Sequence, residues 1–277
     1  MNKEIKKFFD LRGEVAIITG GLGQLGSEYA RILAMAGVKV EIFDIKNGLS
    51  EKIRAMVVQG LPIAVHQVDI LDRNAVRRAF ETLAKAGVVP TILVNNAGID
   101  TPPNAPSATT GSFEEYPEEA WNAVIDSHIK GAFLVSQEFL RNLKDSVKRG
   151  SIINISSTYG MVAPDQSVYD FRRKNDETFY KPVAYSVAKA GMLNFTRWLA
   201  EYCRMARIPC RVNTLVLGGV INGQREEFIR EYSRRTILER MAYEDEYNAA
   251  VLFLASHNAS SYMTGSTLVI DGGWTAR

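Results

Sequence analysis

The feature that most constrains this chain is the regular alternation of short apolar runs with longer segments of helical length. Strand-length runs fall at 15–19, 38–43, 63–68, 91–94, 151–155, 212–217 and 267–270, and helix-length segments at 24–36, 74–85, 121–143, 184–204 and 244–255. The runs are rich in Val and Ile and show no apolar/polar alternation, the pattern of strands covered on both faces. Strands that alternate with helices form right-handed βαβ units, and repeated units wind into an open parallel sheet. The expected fold is therefore α/β: a single-domain, Rossmann-like, doubly wound parallel sheet of seven strands with helices on both faces. No internal repeat or low-complexity linker divides residues 1–277, and 46% apolar residues suffice for one large core.

Composition excludes several function classes. No stretch approaches the ~18 apolar residues of a membrane span. The opening Met1-Asn-Lys-Glu-Ile-Lys-Lys-Phe-Phe-Asp10 has charges on both sides of a very short apolar patch, unlike a signal peptide, so a cytoplasmic location is expected. The formal net charge is +2 with no long basic block, which argues against nucleic acid as a partner. Two cysteines, Cys203 and Cys210, cannot supply a disulfide framework or a four-thiolate zinc site, and no metal is expected.

The first strand runs into Thr19-Gly-Gly-Leu-Gly-Gln-Leu-Gly26 and then into a helix. In that order a glycine turn lets a pyrophosphate approach the amides of the helix N-terminus. Asp44 ends the second strand, 18 positions after Gly26. A carboxylate there accepts hydrogen bonds from the ribose hydroxyls of an adenosine and repels a 2′-phosphate, which favours NAD(H) over NADP(H). Lys46 nearby works against that preference.

Three more segments follow in order: Asn95-Asn-Ala-Gly98 after the fourth strand, Asn154-Ile-Ser-Ser157 after the fifth, and Tyr185-Ser-Val-Ala-Lys189 opening a helix. With the ending Tyr262-Met-Thr-Gly-Ser-Thr-Leu-Val-Ile-Asp-Gly-Gly273, they make the chain resemble the short-chain dehydrogenase/reductase family over residues 12 to 274. The resemblance implies a nicotinamide cofactor held by Gly20, Leu22, Gln24, Leu25, Asp44, Asp69, Ile70, Asn95, Ala97, Gly98, Tyr185, Lys189, Gly218, Val220 and Asn222. It places Asp69 beside the adenine, Asn95 and Gly98 along the cofactor channel, and Val220 against the nicotinamide amide. It also implies a homodimer or homotetramer built on helices such as 121–143 and 184–204.

Hydride transfer between an alcohol and a nicotinamide needs a protein acid/base for the hydroxyl proton. A free phenol, with a pKa of ~10, is a poor base at neutral pH. Lys189, four positions after Tyr185, projects from the same helix face, where an ammonium would lower the phenol pKa. Ser157 is the candidate to orient the substrate oxygen, and Lys189 also holds the nicotinamide ribose if the resemblance carries over.

The chain departs from the family at several points. Gln24 takes the middle glycine position of the turn, and the spacing Gly20, Gly23, Gly26 is similar to the family's extended branch. His128 stands where the family has a catalytic asparagine; it either keeps a proton-relay role or is a packed, non-catalytic imidazole. Leu217 replaces a proline before Gly218, and Asn222 falls where a threonine is usual. Ser157 and Tyr185 lie 28 positions apart, so residues 164–182 read as an insertion on the rim of the active site. Within it, Arg172, Arg173 and Lys174 are placed to grip a phosphate or carboxylate, and Tyr169, Phe171, Phe179 and Tyr180 to stack on a sugar, with Tyr159 a further substrate candidate. The other reading is a solvated charge run with aromatics packed at a subunit contact. The phrases Ala163-Pro-Asp-Gln166 and Lys181-Pro-Val-Ala-Tyr185 are similar to a bacterial branch linked with surface-sugar or flagellin-glycan synthesis.

The expected function is NAD(H)-dependent interconversion of a secondary alcohol and a ketone, with Tyr185 as acid/base and a small polar substrate such as a sugar or sugar phosphate. Two other classes stand beside it. One is a regulatory dinucleotide-binding protein with impaired catalysis, motivated by Gln24, His128 and Leu217. The other is an epimerase or lyase that retains its NAD, motivated by the glycine spacing.

Overall fold

The computed structural model describes residues 3–101, 110–173 and 179–276. After a short helix α1 (Lys3–Phe8), the chain alternates β1 (Val15–Thr19), α2 (Gln24–Met35), β2 (Lys39–Asp44), α3 (Glu51–Val58), β3 (Ile63–Gln67), α4 (Arg73–Lys85) and β4 (Ile92–Asn95). Helices α5 (Glu118–Ile125) and α6 (Gly131–Lys144) lead to β5 (Gly150–Ser157), the single turn α7 (Asp170–Arg173) and the long α8 (Val183–Met205). The second half closes with β6 (Cys210–Leu217), α9 (Glu226–Ser233), α10 (Asn248–Ala255), α11 (His257–Ser260) and β7 (Thr267–Ile270). The seven strands form one parallel sheet in the order β3-β2-β1-β4-β5-β6-β7.

Strand order reverses between β1 and β4, and in such sheets ligands bind beyond the carboxyl ends of the strands at that reversal. Successive strand residues point to opposite faces, and the core divides accordingly. Ala16, Ile18, Val94, Ile153 and Leu215 pack with Tyr29, Leu33, Val251 and Leu254 on one face. Ile17, Leu93, Ile152 and Val212 pack with Phe80, Phe139 and Leu199 on the other. Each such fully buried side chain contributes about 1.5–3 kcal/mol relative to exposure.

Two elements differ from the sequence expectation in ways that shape the site. The expected helix over 121–143 is α5 and α6 joined by a π-helical turn, Asp126–Lys130, which carries His128. One extra residue in a turn re-aims the side chains beside it, and π-bulges favour functional positions. Gly131, just after the turn, sits so close to Ile70 that an added Cβ would lie 2.4 Å from Ile70 Cδ1.

The expected insertion packs through its aromatic side chains. Val168, Tyr169 and Phe179 are fully buried in a cluster with Tyr159, Phe228, Tyr232 and Trp274, so its aromatics fasten the segment to α9. Arg235 ties it down from the other side, through an ion pair with Asp165 and a 2.5 Å hydrogen bond to Ser167 Oγ.

Candidate active site

The glycine turn is shaped by contacts that only glycine permits. Gly20 has φ +64°, and a Cβ there would meet Ala97 Cα at 2.9 Å. A Cβ on Gly26 would lie 2.3 Å from Gly20 O and 2.9 Å from Asn96 Nδ2. Helix α2 begins at Gly23 without a side-chain cap, whereas Ser50 and Asp72 cap α3 and α4. Its first-turn amides are thus offered to a ligand anion. Gln24, in the middle glycine position, turns aside and donates from Nε2 to Ile221 O at 2.7 Å, linking the turn to the loop after β6.

A groove of about 590 Å³ runs from this turn past Asp44, Asp69 and Ile70 to Ala97 and Gly98. Asp44 is buried at the end of β2, where Oδ2 accepts from Leu22 N and Oδ1 from Lys46 N, each at 3.0 Å. Leu22 therefore serves through its backbone, holding the carboxylate still. Asp69 is exposed on the groove and accepts from Leu71 N at 2.8 Å. Dimensions, uncapped amides and the fixed carboxylate fit a dinucleotide.

Asn95 departs from the expectation. Its side chain faces the interior, donating to Asn154 Oδ1 (2.8 Å) and Ser136 Oγ (3.1 Å), because an amide at that strand position finds its partners inside the sheet. Asn96 lines the groove instead, and its Nδ2 donates to Thr19 O and Gly20 O.

Beyond the carboxyl ends of β5 and β6 lies a second cavity of about 280 Å³. Ser157, Tyr159, Tyr185, Lys189, Gly218, Val220 and Asn222 line it, together with Asp100 and Lys181, which the sequence reading did not place in the site. Gln24, Leu25, Asn96 and Asp100 line both cavities, so the two are continuous. Gly160 lets the turn after Ser157 press onto α8, since a Cβ there would lie 2.6 Å from the Lys189 carbonyl carbon.

Ser157 lies beside the Tyr185 phenol, where its hydroxyl holds the phenol pKa down. Lys189 is buried, donates from Nζ to Ile155 O at 3.1 Å and lies 5.7 Å from the Tyr185 ring centroid. Lys181 Nζ lies 4.5 Å from the same centroid. Burial pushes the phenol pKa well above its ordinary value, the nearby Asp100 charge adds to the rise, and the Ser157 hydroxyl opposes it. Lys189 is not among the groups that lower it, against the expectation, and Tyr185 is a neutral phenol in this state. Burial likewise lowers the Lys189 ammonium, to about 8.

His128 is buried with its ring edge-on to Tyr185 at 5.7 Å between centroids, and Nε2 lies 3.1 Å from Ile99 O. A carbonyl partner requires the proton on Nε2. Burial first, and then the Lys189 charge, hold its pKa well below 6.5, so the ring is neutral. Among the described residues it makes no hydrogen bond to Lys189.

Arg172 lies in the insertion's aromatic cluster, its guanidinium 4.7 Å from the Phe179 ring centroid, and not on the cavity wall. Burial of Phe179 and Tyr169 draws it inward, against the expected grip on a ligand anion. The side chain of Arg173, and all of Lys174, lie outside the described residues. Among the described residues no group of His, Cys, Asp and Glu side chains is arranged to hold a metal, and no helix is long and apolar enough to cross a membrane.

A family model described as enoyl-(acyl carrier protein) reductase matches residues 23–275. The chain is 31% identical to D-arabinitol 2-dehydrogenase [ribulose-forming] of Candida tropicalis, covering 96% of this chain and 94% of that one. It is 30% identical to the NADH-dependent L-xylulose reductase of Ambrosiozyma monospora, covering 97% of both. The crystal structure of a short chain dehydrogenase from Leptospira borgpetersenii with bound NAD+ superposes with a TM-score of 0.84 at 30% identity, covering 99% of this chain and 97% of that one.

The neutral state of His128 has a consequence for stability. A group whose folded pKa is depressed supports the fold above its unfolded value, here 6.5, and that support is lost as pH falls below it. Denaturant unfolding of the wild type should therefore lose up to about 1.4 kcal/mol per pH unit below 6.5 from this residue. In His128→Phe this part of the acid slope should disappear; an unchanged slope would show that the imidazole is not held neutral.

Proposed function

The chain belongs to the short-chain dehydrogenase/reductase family and is an oxidoreductase of CH–OH groups, and on that footing we propose that it interconverts a polyol and its ketose with NAD(H), Tyr185 serving as acid/base. The carrying observation is that Ser157, Tyr185 and Lys189 line a cavity continuous with the groove below the glycine turn. NADH bound in that groove would supply the hydride. As a ketone is reduced, the neutral Tyr185 phenol gives its proton to the carbonyl oxygen, which Ser157 orients by hydrogen bonding. The phenolate left behind is stabilised by the Lys189 ammonium. With Nε2–H directed at Ile99, the acceptor nitrogen Nδ1 is the atom through which we assign His128 a relay role.

The fixed Asp44 carboxylate supports a preference for NAD(H): its oxygens suit ribose hydroxyls and repel a 2′-phosphate. The small reaction cavity and the names of the arabinitol and xylulose relatives support a sugar-alcohol substrate class. Phe133, Val187, Trp198 and Tyr202 leave an apolar surface on α6 and α8, with the last two rings stacked at 5.5 Å, which supports a homodimer or homotetramer.

Purified protein given pentuloses or pentitols should change NADH absorbance, and Tyr185→Phe should lower kcat by about 10²–10⁴-fold while NADH binding persists. Undiminished turnover in that variant would remove the acid/base role. Light scattering should report a dimer or tetramer, and Trp198→Glu should shift it toward monomer; a monomeric wild type contradicts the oligomer.

A further inference from the structure

The inserted segment places a buried lysine in the reaction cavity by a device of its own. The Gln166 side chain clamps the Lys181 backbone on both sides, accepting from Lys181 N at 2.8 Å and donating to Lys181 O at 3.3 Å. Pro182 follows and leads into α8, so the clamp fixes Lys181 four residues before Tyr185. Lys181 is 7% exposed, and its ammonium faces the Tyr185 ring more closely than Lys189 does. A cation so far from water requires hydrogen-bonding partners. It has the Asp100 carboxylate, as an ion pair through Oδ1, and Thr101 O at 2.9 Å.

Counting donors and acceptors shows what the pair leaves unused. An ammonium has three N–H donors, and two of those on Lys181 have partners among the described residues. Asp100 Oδ1 takes both Lys181 Nζ and Thr101 N, while Oδ2 has no partner among the described residues. Both residues line the cavity with Ser157 and Tyr185, and the Asp100 side chain is half exposed (53%). One donor beside one acceptor is the complement of a hydroxyl group, which accepts from the first and donates to the second. A phosphate or carboxylate at that place would face the Asp100 charge.

We propose that Lys181 and Asp100 form a specificity pair that grips an uncharged hydroxyl on a carbon next to the reacting one, selecting vicinal hydroxy-ketones and their diols over simple ketones and over substrates phosphorylated at that hydroxyl. The proposal rests on the alcohol/ketone reading of the same cavity and deepens it. Sites that hydrogen-bond a substrate hydroxyl reject the analogue lacking it far more strongly than apolar pockets reject a missing methylene.

The test compares kcat/KM for a 2-pentulose with its 1-deoxy and 3-deoxy analogues and with the pentulose phosphorylated on the preferred neighbouring hydroxyl. Wild type should favour the parent over one deoxy analogue by about 100-fold or more, and over the phosphate by at least as much. In Lys181→Met that parent-to-deoxy ratio should fall below about 10-fold, with NADH affinity, read by fluorescence, within about twofold of wild type. Asp100→Asn keeps the shape, carries the test should Lys181→Met fail to fold, and should narrow the discrimination against the phosphate. A ratio near one in wild type, or a ratio unchanged in both variants, overturns the specificity pair while leaving the alcohol/ketone reading in place. A wild type that turns over no carbonyl with NADH removes both.

Discussion

The partial burial of one phenol beside buried cations sets the terms for the rest of this site. Tyr185 sits in the first turn of α8 with lysines four residues before and four residues after it, and burial raises its pKa more than any neighbour lowers it. A phenol in that state is a proton donor poised for a carbonyl oxygen. Burial likewise makes Lys189 a weaker acid-holder than a surface lysine and keeps His128 neutral beside it. Two cations and an imidazole can share so small a volume because Asp100 pairs with Lys181, Ile155 O accepts from Lys189 and Ile99 O accepts from His128.

The sheet makes that arrangement reachable. Strand order reverses between β1 and β4, which opens the groove, and β5 delivers Ser157 at its mouth. Close backbone approaches at Gly20, Gly26 and Gly160 bring turn, sheet and α8 within contact distance. Gln24 adds a feature of this chain: its amide fastens the glycine turn to the loop after β6, which walls the reaction cavity.

Much of this was legible in the residues because it follows from local rules. Buried strands read as Val/Ile runs, and the glycine turn, Asp44, Ser157, Tyr185 and Lys189 each have a spacing with a mechanism. What was illegible depends on long-range packing. Whether Asn95 or Asn96 faces the groove turns on which strand neighbours satisfy each amide. The break in the expected helix over 121–143 leaves no composition signal, since every residue of the π-turn is helix-compatible. The insertion read as basic and exposed because its Arg172-Arg173-Lys174 run stands out, whereas burial of Tyr169 and Phe179 against α9 decides its course. Lys181 passed as one charge among many until the Gln166 clamp and the Asp100 pair placed it in the cavity.

The neutrality of the Tyr185 phenol can be measured directly by following the ultraviolet phenolate difference spectrum as the unliganded protein is titrated upward from about pH 7, wild type against Tyr185→Phe. The account predicts that the two curves coincide below pH 10, the ordinary value for a tyrosine, because Tyr185 ionises only above it. A component ionising below that value in wild type and absent from Tyr185→Phe would contradict it, and would mean that the flanking lysines, rather than burial, set the state of the phenol.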